Sequence, residues 1–191
     1  MNLGIKDEAF VRGKVPMTKE EIRILTLVKA QIAPDAVIYD VGAGTGSLSI
    51  EAARLAPAGH VYAIEKNPEA IGLIAENAKR FGTENITAIE GTAPDALEEL
   101  PALDVALIGG SGRKLSDILD IIGERLRPAG RIVANAITMQ TAAACLDYFH
   151  AHADRYTYEA IQVQINRLER VGSYDMAKAL NPIYIITAQR K

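Results

Sequence analysis

Val37-Ile38-Tyr39-Asp40-Val41-Gly42-Ala43-Gly44-Thr45-Gly46 decides how the rest of this chain is read. An apolar run ending in an acid, with glycine then at every second position, is a buried strand turning tightly into a helix. Glycine suits such a turn because it takes positive φ without strain and leaves no Cβ in the way of a ligand. Nineteen residues after Gly46, the run His60-Val61-Tyr62-Ala63-Ile64 closes on Glu65. A carboxylate at that strand end can accept hydrogen bonds from both hydroxyls of a ribose. A glycine-rich turn with an acid at the end of the next strand is the pattern of a nucleoside site.

Strand and helix signals alternate on both sides of this pair. Thr18-Lys19-Glu20-Glu21 reads as a capping box that opens a helix with Ile22, Leu25, Val28 and Ile32 on one face. A helix near 46–56 follows the glycine turn, and Asn67-Pro68 caps another that runs to about Arg80. Ile86 to Glu90 is the third strand, and Thr92-Ala93-Pro94-Asp95 carries the cap chemistry of a further helix. Leu103 to Ile108 is apolar on both parities, as a strand covered on both faces should be. It ends at Gly109-Gly110-Ser111-Gly112. A helix of about 113–127, a strand from Arg131 to Ala136 and a helix of about 139–153 come next. Tyr158 to Arg170 and Ile183 to Gln189 then read as two strands with no crossover helix between them, and so as antiparallel neighbours. The fold class is α/β: a Rossmann-like, seven-stranded, mostly parallel sheet that finishes in an antiparallel pair.

The spacing of the glycines selects the ligand. Dinucleotide enzymes use G-x-G-x-x-G, which requires glycine at position 47, where this chain has Ser47. An antiparallel end to the sheet also disfavours a dinucleotide fold. S-adenosylmethionine is the better match. Gly42, Ala43, Gly44, Thr45 and Gly46 should meet its methionine end. Asp40 either receives the α-ammonium or caps the turn. Glu65 should hold the ribose, and Gly91, Thr92 and Ala93 sit where an adenine edge can be read. Gly109 borders the point of methyl departure, and Gly110 and Ser111 leave room there for a bulky, flat substrate, although a plain loop has the same composition. These placements follow the rule that ligands bind outside the carboxyl ends of strands in open sheets.

Composition narrows the class. With 191 residues, 49% of them hydrophobic, the chain can bury one full core. One domain over 1–191 is expected, with 1–33 forming an N-terminal segment and helix over the cofactor and substrate site. A net charge of −3 argues against a nucleic-acid partner. Cys145 is the single cysteine, and His60, His150 and His152 are scattered, so neither a disulfide nor a metal site is expected. No apolar run is long enough for a membrane span or a signal core, which makes the cytoplasm the expected compartment. Asn181-Pro182-Ile183-Tyr184 imitates the N-P-P-Y signature of amine methyltransferases. It starts the last strand rather than ending the fourth, so it reads as a turn.

With these residues in view, the chain resembles the decarboxylating precorrin methyltransferases of cobalamin biosynthesis. The resemblance runs from Gly4 to the last strand. It rests on Gly4-Ile5-Lys6-Asp7-Glu8-Ala9-Phe10, on Val15-Pro16-Met17-Thr18-Lys19-Glu20-Glu21-Ile22-Arg23, on Ile108-Gly109-Gly110-Ser111-Gly112, and on Val171-Gly172-Ser173-Tyr174 with Leu180-Asn181-Pro182. It implies methyl transfer from S-adenosylmethionine to C15 of a precorrin or cobalt-precorrin, coupled to loss of CO₂ from the ring C acetate. It also implies that Thr18, Gly42 through Gly46, Glu65 and Ala93 match the family's cofactor contacts, that the C5 methyltransferase is a separate protein, and that the enzyme is a homotetramer. Thr92 stands where the family often has Asp, and Arg113 where it often has Gly.

The substrate's carboxylates call for cations, and Arg12, Lys14, Lys19, Arg113, Lys114, Arg167, Arg170 and Lys178 are candidates, although each taken singly reads better as an ordinary solvated surface charge. Tyr174 either stacks on the macrocycle or fills an interface or the core. No acid–base pair stands out, and orientation with exclusion of water suffices for an activated methyl donor. Two other readings fit the same glycine turn: a tRNA adenine methyltransferase, and a non-catalytic protein that binds S-adenosylmethionine.

Overall fold

The computed structural model describes residues 3–191. After α1 (Glu20–Ala30), the units β1 (Val37–Val41), α2 (Ser47–Leu55), β2 (His60–Glu65), α3 (Pro68–Phe81) and β3 (Ile86–Glu90) form the first half. The second half holds β4 (Leu103–Ile108), α4 (Leu115–Arg125), β5 (Leu126–Ala136), α5 (Met139–Ala151), β6 (Tyr156–Val163), β7 (Asn166–Val171), β8 (Tyr174–Ala179) and β9 (Ile183–Arg190). Seven strands share one sheet in the order β3-β2-β1-β4-β5-β9-β6, while β7 and β8 form a separate hairpin. Only β9 runs against the rest, since it is antiparallel to both β5 and β6.

Alternation along the strands builds two cores. Ile38, Val105, Leu107 and Val133 face Leu27, Leu48 and Ala52, on the side of α1 and α2. Tyr39, Ala106, Ile108 and Ala134 face Ile118, Ile122 and Phe149, on the side of α4 and α5. Strand order reverses between β1 and β4, which pair in parallel with Val41 beside Ile108. That reversal opens a crevice at the carboxyl edge of the sheet.

Four local expectations are corrected. Thr18 does not cap α1: Lys19 occupies the cap position without a side-chain bond, and the Glu20 amide donates instead to Asp7 Oδ1 at 3.0 Å. The buried face of α1 comprises Ile22, Arg23, Thr26, Leu27 and Ala30, and Val28 is exposed. Two polar residues can lie on that face because each has partners there: Thr26 Oγ1 donates to Ile22 O at 2.7 Å, and Arg23 enters an ionic network described below. The cap chemistry at Thr92 starts a single 3₁₀ turn, Asp95–Leu97, rather than a full helix. Finally, Tyr158 to Arg170 is not one strand. It breaks after Val163, and β7 turns through Gly172-Ser173 into β8, with Val171 opposite Tyr174. Asn67 does cap α3 through its side chain, at 3.0 Å from the Glu69 amide, with Pro68 first in the helix.

Candidate functional site

At the crevice lies a cleft of about 440 Å³. Of the candidate site residues, Gly42, Gly44, Glu65, Gly91, Thr92, Ala93, Gly109, Gly110 and Ser111 line it. Val15, Pro16, Val41, Ile64, Lys66, Asn67, Gly112, Lys114 and Ile118 complete the walls. Lys66 and Asn67 are not among the candidate site residues of the sequence, although they directly follow the strand-closing acid. Ile118, one turn into α4, gives no such signal.

The loops after β1 and β4 are stitched together. The amides of Gly109 and Gly110 both donate to Val41 O, at 2.9 and 3.3 Å. A Cβ on Gly42, whose φ is +74°, would stand 2.8 Å from Gly110 N, and one on Gly44, at φ +57°, would stand 2.8 Å from Pro16 O. Clearance here is therefore needed first for protein backbone, and the turn's amides are largely engaged. Gly42 and Ala43 donate to Ile64 O, Gly46 to Ala43 O, and Gly44 to Glu65 Oε2 at 3.0 Å. Oε1 of Glu65 accepts the amides of Lys66 and Asn67 at 2.8 and 3.0 Å. The acid that ends β2 thus organises the glycine turn and the start of α3 together.

Asp40 is fully buried and does not line the cleft. Its Oδ2 accepts from Ser49 Oγ at 2.5 Å, while Oδ1 has no partner among the described residues. Burial raises its carboxyl to about 6; the Ser49 bond opposes the shift and the Glu65 charge adds to it. Thr45 Oγ1 is likewise buried and unpartnered among the described residues. Thr18, Ala43, Thr45 and Gly46 stand outside the lining as well.

Val15 and Pro16 reach the cleft because the segment before α1 is clamped at two places. Asn77, fully buried in α3, accepts the Val11 amide at 2.8 Å and donates to Val11 O and Thr45 O at 3.1 and 3.0 Å. It joins this strap directly to the glycine turn. Arg23, also fully buried, donates from Nε to Glu51 Oε1 at 2.6 Å and from Nη1 to Asp7 Oδ1 and Thr18 O at 3.2 and 2.6 Å, and it bonds Ile5 O through Nη2. Its guanidinium lies 4.8 Å from the centre of the Phe10 ring. Glu51 in turn accepts the amides of Gly4 and Ile5, at 2.8 and 3.3 Å.

Of the candidate cations, only Lys114 lines the cleft. Arg12, Lys14 and Arg113 are exposed beyond it. Arg167 is engaged by Glu21, with Nε and Nη2 at 3.1 and 2.7 Å from its two oxygens. Tyr174 projects from the hairpin, 74% exposed. Among the described residues no cluster of metal-ligating side chains occurs and no helix is long and apolar enough to cross a membrane.

A family model described as a precorrin methyltransferase domain matches residues 8–190. A probable cobalt-precorrin-6B C(15)-methyltransferase (decarboxylating) from Sulfolobus acidocaldarius is 40% identical over 98% of both chains. The cobalt-precorrin-6B C(15)-methyltransferase (decarboxylating) of Salmonella typhimurium is 38% identical over 98% of this chain and 96% of its own. A crystal structure of a precorrin-6Y C5,15-methyltransferase from Geobacter metallireducens superposes with a TM-score of 0.91 at 40% identity, covering 98% of this chain and 97% of that one. The chain belongs to the precorrin methyltransferase family.

Proposed function

We propose that this protein methylates C15 of a precorrin or cobalt-precorrin with S-adenosylmethionine and removes CO₂ from the ring C acetate, a step of cobalamin biosynthesis. The observation that carries the reading is the cleft at the strand-order reversal, closed on one side by Glu65 and on the other by the Gly109-Gly110-Ser111 segment. The names of the relatives favour a tetrapyrrole over a tRNA adenine as substrate.

The residues present fit the cofactor. Glu65 offers a carboxylate at the cleft wall for a ribose diol. Ile64, Ala93 and Ile118 give an apolar bed for an adenine, and Thr92 a polar neighbour. Asp40 Oδ1, buried with no partner among the described residues, is an acceptor suited to an ammonium reached directly or through water. When bound, the cofactor supplies a methyl group already activated on a sulfonium. What remains for the chain is orientation and exclusion of water. Val15 and Pro16 wall the cleft from the strap, so residues 1–33 act as its cover within one domain; residues 1 and 2 lie outside the described residues. Gly109 and Gly110 allow a flat ring to approach. Lys114 supplies a cation at the rim for a peripheral carboxylate.

We place the reaction in the cytoplasm and the active form as a tetramer. Exposed apolar side chains on the β7–β8 hairpin support the second point. The test is anaerobic incubation with labelled S-adenosylmethionine and the C5-methylated ring precursor. One methyl gained and one CO₂ lost per ring is expected; an unchanged ring would overturn the reading.

A further inference from the structure

Residues 12–17, the part of the N-terminal strap that walls the cleft, hang between two clamps. Before them, the amide and carbonyl of Val11 are both bonded to fully buried Asn77, at 2.8 and 3.1 Å. After them, Thr18 O accepts from fully buried Arg23 at 2.6 Å. Between the clamps, a single hydrogen bond to the body of the protein occurs among the described residues. The Lys14 amide donates to Glu69 Oε1 at 3.1 Å, and this bond is exposed. Arg12, Gly13, Lys14 and Pro16 are exposed as well, and only Val15 is buried, against Ala70 and Leu73 of α3. Gly13 makes the Glu69 bond possible: a Cβ at that position would overlap Glu69 Oε1 and push the carboxylate off the amide.

We infer that residues 12–17 are a gate for the cofactor, hinged at Val11 and Thr18, and that Glu69 is its latch. The inference rests on the cleft being the S-adenosylmethionine site proposed above. A segment with few buried contacts and an exposed hydrogen bond lies at the low end of local stability. The buried clamps hold its two ends, so it swings as a flap while the rest of the strap stays in place. Opening withdraws Val15 and Pro16 from the cleft wall and exposes that side of the ligand to solvent. Closing returns Val15 to Ala70 and Leu73 and brings Pro16 O back over Gly44 of the glycine turn, which shields the site from water. Glu69 does not line the cleft and is a positioning residue, acting through the Lys14 amide. Because the latch bonds backbone and not ligand, releasing it lowers the barrier to entry and to exit alike.

The test measures association and dissociation rates of labelled S-adenosylhomocysteine by rapid mixing and filtration, in the wild-type protein, Glu69→Ala, Gly13→Ala and the double variant. Each single variant is expected to raise both rates roughly threefold or more, the effect of losing one exposed hydrogen bond to a charged group. Since both rates rise together, the dissociation constant should stay within about twofold of the wild-type value. In the Glu69→Ala background, Gly13→Ala should add nothing, because the carboxylate that its Cβ displaces is already gone. Unchanged rates in both single variants overturn the inference. That includes the case where Glu69→Ala merely loses stability in urea, as removal of an acid from the first turn of α3 would produce. A rise confined to dissociation would make Glu69 a ligand contact, and additive effects in the double variant would separate Gly13 from the latch; either result also overturns it. A wild-type protein that does not bind S-adenosylhomocysteine would instead refute the cofactor reading of the cleft.

Discussion

Glu65 Oε2 accepts the Gly44 amide at 3.0 Å while Oε1 accepts those of Lys66 and Asn67. The carboxylate that closes β2 therefore already has three backbone donors, against about four acceptor positions in all. Holding both hydroxyls of a ribose must release at least one of those amides, so ligand binding and the shape of the glycine turn are coupled through one side chain.

Glu65→Ala should raise the dissociation constant for S-adenosylhomocysteine roughly tenfold or more, because hydrogen bonds to a charged group are worth about 1.5–3 kcal/mol. Isothermal titration measures this directly. An unchanged affinity removes Glu65 from the site.

Arg23 is expected to dominate the stability of the N-terminal segment. Arg23→Ala leaves the buried carboxylates of Asp7 and Glu51 without their shared cation, and breaking a buried pair typically costs about 3–5 kcal/mol. Arg23→Lys should recover little, since one ammonium cannot serve contacts made by Nε, Nη1 and Nη2. Urea unfolding of both variants checks the point; a loss below about 1 kcal/mol in Arg23→Ala would contradict it.

Asp40 makes stability fall as pH rises. Its folded carboxyl titrates at about 6 against an ordinary 3.8, so between those values the native chain binds more protons than the unfolded one. By linkage, stability declines from about pH 4 to about pH 6 and then levels, by up to about 3 kcal/mol. Asp40→Asn should remove this slope, so its stability relative to the wild-type protein rises between pH 4 and pH 7. A cofactor ammonium would favour the ionised acid, so affinity should strengthen over the same interval. A stability difference that is the same at both pH values would show that Asp40 does not titrate as described.

On the β7–β8 hairpin, Val171, Tyr174 and Met176 share one face and are 55%, 74% and 55% exposed. Adjacent exposed apolar side chains on a two-stranded hairpin call for a covering partner. If the proposed tetramer forms through this face, Tyr174→Ser combined with Met176→Ser should give smaller species than the wild-type protein in light scattering. A wild-type protein that is monomeric, or a variant of unchanged mass, would contradict the tetramer.

Local chemistry was what the sequence made legible. The glycine turn, Glu65, the Asn67-Pro68 cap and the doubly apolar β4 depend on neighbours within a few residues, and each is where the pattern puts it. Arg23 was hidden because its partners, Asp7 and Glu51, are remote in sequence, so a charged residue on α1 reads as solvent-facing. The same long-range acid displaced the expected capping box, since Asp7 serves the Glu20 amide. Val28, apolar by pattern, lost its place in the core to Arg23 and Thr26. The β7–β8 hairpin did carry a signal, because Gly172-Ser173 between two strand-forming runs is a two-residue hairpin turn, whereas the break after Val163 has no such residues. Within the site, Asn77 could not be found from spacing at all. Its role exists only once α3 lies between the strap and the glycine turn.

The most direct test is a crystal structure at saturating S-adenosylhomocysteine. The account predicts adenosine in the cleft, both ribose hydroxyls within hydrogen-bonding distance of the Glu65 carboxylate, and at least one of its bonds to Gly44, Lys66 or Asn67 released. A nucleoside bound elsewhere, or a ribose out of reach of Glu65, would contradict it.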